Sequence, residues 1–554
     1  MDIEYSTKGQ HARRLLIIGL DGWEVGYGER LMAEGELPAL SALRERSAVF
    51  RLDHGSAQRT GLAWEHFASG LSPPDGGRWS AVEFDPASYS VWQEGARFVP
   101  FFGELGASVT VFDAPYVDLR RAAGMQGIVG WGAHDPGTAS QGRPERLARS
   151  FESRFGPYPA SSWTYATPAY CAESCEAMGR ALAEAVDRRL DAALWVLEQI
   201  PETEAFWVVT GELHSAIEGL WHGVDPSHPL HGHASAPAAA AALRAVHRAV
   251  DRFVAGLVEA VPGASILAFA MGGMGSNRSD LQSMVLLPEL LYRDRFGRPL
   301  LEVPREWVEA QDEVLRLEGF RGWSNSLQWY PSLEAVRQRE RSMRSMGARM
   351  SRPLRRLWRH WSSPEPPSTP FRSSLGWQPT THYAERWPEM AAFALPSFYD
   401  GRIRVNLRGR ERRGVVEPSD YEGVVERLKA LIGECADPQN GAPAVARFER
   451  PASADPFELD RSDADLTVVW RSSANALSHP EHGLIGPLPY RRTGGHTGPQ
   501  GVAYLSDTSV NAGDHGVRSS FDVAPTVVEL LGLAARRPLS GNSFLSAARK
   551  SAQP

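Results

Sequence analysis

Six consecutive apolar or small residues, Leu15-Leu16-Ile17-Ile18-Gly19-Leu20, run without a break into the carboxylate of Asp21. A run of this length is too short for a membrane span or a signal-peptide core, and it has the length of a buried strand. Comparable short runs recur at 108–112, 127–130, 205–210, 265–270, 466–470 and 501–505. Between them lie longer stretches rich in Ala, Leu, Val and charged residues at helical spacing, such as 181–199 and 238–261. A late helix is expected over 525–531, with Pro525 in its first turn and Gly532 just past its end. Alternation of this kind predicts an α/β fold, a mostly parallel central sheet with helices on both faces. No internal repeat is visible.

Composition narrows the class further. Hydrophobic residues make up 42% of the 554, enough for a substantial core, which excludes wholesale disorder. The 59 basic and 66 acidic residues leave a formal charge of −7, so nucleic acid is not expected as a general partner. Cys171, Cys175 and Cys435 are too few, and odd in number, for a disulfide framework, which suits a reducing compartment. Cys171 and Cys175 could share a metal or a bridge, but without a second pair they read as ordinary helix residues. With no secretion signal and no membrane-length run, a cytoplasmic location is expected. The expected organisation is a tail over 1–13 and one domain over 14–545. Within that domain lies an insertion over 337–370, arginine-rich and then rich in proline and serine. It reads as a solvated connector or as a basic amphipathic element for an anionic surface.

Two positions carry the first hints of chemistry. A carboxylate directly after a buried strand sits where open α/β sheets bind ligands, and Asp21 is such a residue, although strand-ending aspartates are also common turn residues. Thr60 precedes a helix-compatible stretch that closes at Ser69-Gly70. It is therefore expected at a helix N-terminus, either as a simple cap or as a hydroxyl beside an anion site. A threonine hydroxyl needs a metal or a base to become a nucleophile.

These segments, with Trp64 and Ser69-Gly70-Leu71-Ser72-Pro73, resemble the opening of the alkaline phosphatase superfamily, its nucleotide pyrophosphatase/phosphodiesterase branch in particular. Later segments are similar to that family as well. They are Gly401 to Arg410 with Gly414 to Pro418, Gly494-Gly495-His496-Thr497-Gly498-Pro499-Gln500-Gly501, and Phe521 to Thr526. The resemblance covers roughly residues 14–545 and implies a three-layer alkaline-phosphatase-like core. It departs from the family pattern at Leu62, where many members have proline, and at Gly76-Gly77, where a His-Gly is usual.

The resemblance implies that Asp21 binds metal and that Thr60 is the nucleophile. One family metal is held by an Asp, a His four residues later and a late His. Those positions correspond here to His214, Glu218 and His496, with the first two ligand types exchanged and the spacing of four kept. On a helix that spacing puts both side chains on one face. Two imidazoles and a carboxylate leave an open coordination position, as in catalytic zinc sites, and iron or manganese also accept such a set. A pair on the helix surface is the alternative. Glu212, His222, Asp225, His228, His231 and His233 crowd the same segment. The second family metal needs an Asp-His pair after the strand 265–270, but Met271 and Gly272 stand there, so a second metal is doubtful. Asn277 or Asp280 could substitute.

The expectation is a metal-dependent hydrolase or transferase of phosphate esters, phosphodiesters or phosphonates, acting on a small anionic substrate through one divalent ion, with zinc the first choice. Either Thr60 attacks, aided by Arg59, His66 or His134, or a water does. Arg59 would stabilise transition-state charge and His134 would contact substrate. The alternative is a pseudoenzyme that holds an anionic ligand in the degenerate cleft.

Overall fold

The computed structural model describes residues 14–136, 139–165, 168–277, 279–310, 315, 371–471 and 473–549. The tail 1–13 and the insertion 337–370 lie outside these residues. A nine-stranded sheet organises the rest: β1 (Leu15–Leu20), β2 (Ala48–Asp53), β3 (Val109–Phe112), β4 (Met125–Val129), β5 (Gln141–Arg143), β6 (Ala205–Thr210), β7 (Ser265–Ala270), β8 (Gly501–Ser506) and β9 (Gly513–Ser519). Its order is β9-β2-β8-β7-β1-β6-β3-β4-β5. Only β8, against β2 and β7, and β5, against β4, run antiparallel to their neighbours.

The centre of the sheet is buried on both faces, which is why β1, β6 and β7 read as unbroken apolar runs. Side chains alternate between two cores. Leu16, Ile18, Leu20, Phe206 and Val208 face one, and Leu15, Ile17, Trp207 and Val209 face the other. Over the first core lie the helices α2 (Ala172–Gln199), α3 (Glu212–Leu220) and α4 (Ala236–Ala260). The second core is covered by α1 (Ala63–Ser69) and α5 (Val523–Leu530). This is the mostly parallel α/β architecture that the alternation predicts. Cys171 and Cys175 are free, the first exposed just ahead of α2 and the second buried within it.

Two expected strands behave differently. Leu466–Trp470 does not join the main sheet. It pairs antiparallel with Gly401–Val405 and Val445–Glu449 in a separate four-stranded sheet completed by Ala392–Leu395. Its burial alternates residue by residue, as expected of a strand with one covered face, and Thr467 breaks its apolar run. The 501–505 segment does enter the main sheet, as the antiparallel strand β8. The small sheet also accounts for the arginines of 401–410. Arg404 Nε lies 2.7 Å from Glu411 Oε1 and Arg410 Nη2 lies 2.7 Å from Asp465 Oδ2, so these charges are neutralised locally. Among the described residues, no helix is long and apolar enough to cross a membrane.

His247 of α4 is fully buried, with its Nδ1–H donating to the Leu243 carbonyl at 2.9 Å and its ring packed on Trp23 and Tyr27. Burial lowers its pKa from an ordinary 6.5 to about 4. The folded state therefore binds fewer protons than the unfolded state, and the stability this group contributes is present above pH 6.5 and lost as pH falls toward 4. In urea titrations, His247→Phe should flatten the loss of unfolding free energy over that window by roughly 1.4 kcal/mol per pH unit. An unchanged slope would show that His247 does not carry it.

Candidate metal centre

The parallel strands end on one edge of the sheet, and the chemistry collects there. Asp21 follows β1, and its backbone N–H donates to Thr210 O at the end of β6 (3.0 Å). Gly22 comes next at φ 81°, where an added Cβ would lie 2.2 Å from the backbone nitrogen of His214. Only glycine lets the β1 turn press so closely on the first turn of α3. Every residue of α3 is buried, so the His214–Glu218 pair is an interior feature and not a surface one. His496 arrives on the strand Gly494–Gly498, which pairs antiparallel with Gly273–Ser276. That strand is stitched to the end of α3 by Thr493 N–H donating to Glu218 O (2.6 Å) and by Trp221 N–H donating to Thr493 Oγ1 (2.8 Å).

His134 is placed from the other side. Asp113, at the end of β3, accepts from Trp131 N–H (2.7 Å) and Gly132 N–H (2.8 Å), which shapes the loop carrying His134. Arg189 of α2 ties this carboxylate to α3, with Nη1 donating to Asp113 Oδ2 (2.6 Å) and Nε to Glu212 Oε1 (2.8 Å). Tyr158 and Thr210 hydroxyls complete the coordination of Glu212 at 2.9 and 2.7 Å. Glu212 is thereby a structural member of the segment and not a ligand.

The result is an alternation of acids and imidazoles. His214 Nδ1 lies 3.1 Å from Asp21 Oδ2 and Nε2 lies 3.2 Å from Glu218 Oε1. The His134 ring stacks on His214 with centroids 3.9 Å apart and 13° between planes. His134 Nδ1 is 3.1 Å from Asp135 Oδ2, and Nε2 is 3.5 Å from Glu218 Oε2. His496 meets His214 edge to face at 4.6 Å. Burial works against charge on both partners, yet His214 is raised to about 10 and Asp21 falls to about 2, because each lies beside the other's opposite charge. Burial and the neighbouring His214 charge lower His496 to about 4.

Two groups of the same donor type, one carboxylate and two imidazoles each, converge here and share His214. Asp21, His214 and His496 each offer a ligand atom, and the three atoms lie within 4.8 Å of one another. One carboxylate and two imidazoles fit a divalent ion with an open position. Glu218 does not belong to this group. Its carboxylate converges with His134 and His214 instead, and the Arg492 guanidinium makes an ion pair with its Oε1. A cavity opens beside Asp21, His214 and His496, walled by Trp64, Pro115, Tyr116, Met271 and Tyr399. Met271 and Gly272 also line it, and neither side chain offers an oxygen or an imidazole to an ion. Asn277 is engaged by the Ser279 and Asp280 backbone N–H groups, and Asp280 by Arg491 at 2.7 Å.

Thr60 and Arg59 lie elsewhere. Thr60 is the last residue of a 3-10 turn, Gly55–Thr60, and not the start of a helix. Gly61, at φ 73°, redirects the chain before α1 begins at Ala63. Its hydroxyl donates to Ala57 O (2.8 Å) and accepts from Leu62 N–H (3.1 Å), and it lines a neighbouring pocket with Arg59. Arg59 is ion-paired with Asp400, at 3.3 Å, and with Glu449. His66 is buried against His54 at 3.1 Å, while His222, His231 and His233 are bonded within their own segment. Gln58, His54 and Asp135 do line the cavity, and none was evident from the sequence as a site residue. Asp135 is adjacent to His134, a signal that could have found it. Arg492 was equally hidden, although an Arg491-Arg492 pair four residues ahead of a late histidine is a readable cue.

No family model matches the chain, and no curated protein matches it. Among solved structures, it is similar to the phosphonoacetate hydrolase of Sinorhizobium meliloti 1021 bound to phosphonoformate. The identity is 14%, covering 94% of this chain and 95% of that one, with a TM-score of 0.47. It is also similar to human ectonucleotide pyrophosphatase/phosphodiesterase 5, at 8% identity, 97% and 100% coverage and the same TM-score. An inactive variant of the murine protein, in complex with AMP, gives 9%, 96% and 97%, again at 0.47. Both kinds of protein are members of the alkaline phosphatase superfamily.

Arg189 is expected to hold the site together. Arg189→Met would leave two fully buried carboxylates, Asp113 and Glu212, without their cation, at a cost of roughly 3–5 kcal/mol in chemical denaturation. A loss below about 1 kcal/mol, the size of an exposed pair, would show that the two acids are otherwise satisfied.

Proposed function

We propose that this chain is a metal-dependent hydrolase or transferase of phosphate esters, phosphodiesters or phosphonates that works with one divalent ion, zinc in preference to iron or manganese. The observation that carries the reading is the convergence of Asp21, His214 and His496 at the mouth of one cavity, on the carboxyl-terminal edge of the parallel strands. An ion held there supplies Lewis-acid polarisation of a phosphoryl oxygen. The chain's own groups do the rest. Tyr116, Tyr399 and Trp64 exclude bulk water and shape the space for a small anionic substrate. His134 orients Asp135 through its Nδ1; burial raises the Asp135 carboxyl, but the charge and hydrogen bond of that imidazole outweigh it and hold the carboxyl below its ordinary pKa. Asp135 is thus ionised and able to accept a proton at the cavity wall. For Thr60 to attack, its hydroxyl would have to leave Ala57 O and turn toward the cavity. A water admitted beside Asp135 needs no such rearrangement.

A second reading is favoured by the same details. With Met271 and Gly272 on the wall and Thr60 tied into a local turn, the cleft could serve a pseudoenzyme that retains an anionic ligand without turning it over. Elemental analysis of the full chain, paired with a turnover screen on mono-, diester and phosphonate substrates, separates the two. The hydrolase reading expects about one equivalent of metal, lost together with turnover in His214→Ala and in His496→Ala. Stable ligand binding with no turnover under any divalent metal would leave the pseudoenzyme.

A further inference from the structure

A buried guanidinium stands inside this site, and the proposed chemistry does not use it. Arg492 is 7% exposed, its Nη1 is ion-paired to Glu218 Oε1, and its Nε has no hydrogen-bond partner. Glu218 is 0% exposed, and neither of its oxygens has an aligned hydrogen-bond donor; His134 Nε2 is buried and unpartnered beside them. His134, His214 and Glu218 offer ligand atoms within 4.8 Å of one another, so their donor geometry alone would admit an ion. The neighbouring Arg491 is taken up by Asp280 at 2.7 Å, which leaves Arg492 as the cation directed at this carboxylate. Its position is set by the backbone, because the next residue, Thr493, donates its N–H to Glu218 O at 2.6 Å.

We infer that Arg492 is a positioning residue whose guanidinium serves as a built-in cation, occupying the charge position at Glu218 and limiting this centre to one exchangeable ion. A permanently charged group balances the charge of the buried carboxylate at every accessible pH. A divalent ion drawn to His134, His214 and Glu218 would meet that fixed positive charge at short range in a medium of low dielectric. Among the described residues, no arginine or lysine is ion-paired with Asp21, so the exchangeable ion is directed to the Asp21, His214 and His496 position. One short segment thus delivers both devices, the guanidinium at 492 and the imidazole at 496. The inference rests on the single-ion reading above for which ion remains, but not for what Arg492 does to Glu218.

The test is a titration of the metal-stripped full chain with Zn(II) and Mn(II), read as equivalents bound and as affinity, with circular dichroism to confirm folding. Wild type and Arg492→Lys should each saturate near one equivalent. Arg492→Gln should take up a further equivalent at Glu218 and His134, which His214, already committed to the first ion through one ring nitrogen, would join only as a bridging imidazolate with release of its second ring proton; that gain should disappear in Arg492→Gln/His134→Ala. Glu218→Gln, which keeps a hydrogen-bonding group against Arg492, should retain the wild-type ion with affinity changed less than about threefold. Two equivalents in wild type, loss of the ion in Glu218→Gln, or a folded Arg492→Gln with no added uptake would each overturn the inference. If wild type binds no ion, the single-ion reading fails. An Arg492→Gln that then binds one ion dependent on His134 would still support the role of Arg492, and one that binds none would remove it.

Discussion

The charge pairing of Arg189 with Asp113 and Glu212 is the constraint on which the site depends. These three groups come from the end of β3, the body of α2 and the start of α3, and all are essentially inaccessible to water. Burying two carboxylates is costly unless a cation and further donors meet them. Here Arg189, Tyr158, Thr210 and two backbone N–H groups do so. Satisfying Asp113 fixes the loop that presents His134, and satisfying Glu212 fixes the first turn of α3, which presents His214. The stacked histidines are therefore held in register by a network one layer beneath them.

Above that layer, the site is a short chain of opposite charges from Asp21 through His214, Glu218 and His134 to Asp135. Each imidazole lies between two carboxylates, and the Arg492 guanidinium balances the acid they share. In a water-poor interior such an arrangement persists only when every charge has a partner. This accounts for so polar a cluster being buried at the carboxyl-terminal edge of the strands, against an otherwise apolar core. It also explains why the cavity beside it is walled by aromatic and apolar groups.

The four-stranded antiparallel sheet has its own core, built from residues such as Phe393, Ile403, Val405, Leu466 and Val468. It reaches the site through Tyr399, in the connection between its first two strands, which packs on His496 with ring centroids 5.5 Å apart. The arginines of the 401–410 segment act within this layer, where their acidic partners neutralise them, and not in the cavity.

Short-range patterning was enough to read the main sheet. The runs at 15–20, 205–210 and 265–270 correspond residue for residue to β1, β6 and β7, because strands buried on both faces are predominantly apolar, with Thr210 and Ser265 only at strand ends. The i, i+4 spacing likewise placed His214 and Glu218 on one helix face, and Asp21 at a strand end. Local pattern could not determine which donors converge. Glu218 meets His134 and Arg492, while Asp21 joins His214 and His496, because residues far apart in sequence are brought together by strand order, by the close approach at Gly22 and by Thr493 bonding to the end of α3. Thr60 shows the same limit. Its helix-start context was visible in sequence, but the 3-10 turn that ends at Thr60, the left-handed Gly61 after it and the bond from its hydroxyl to Ala57 O are decided by tertiary packing. Sequence alone determined the buried strands and the kinds of ligand available. The tertiary structure decided which of those side chains converge and which is paired with a guanidinium, since electrostatic pairing depends on distances that only the folded chain sets.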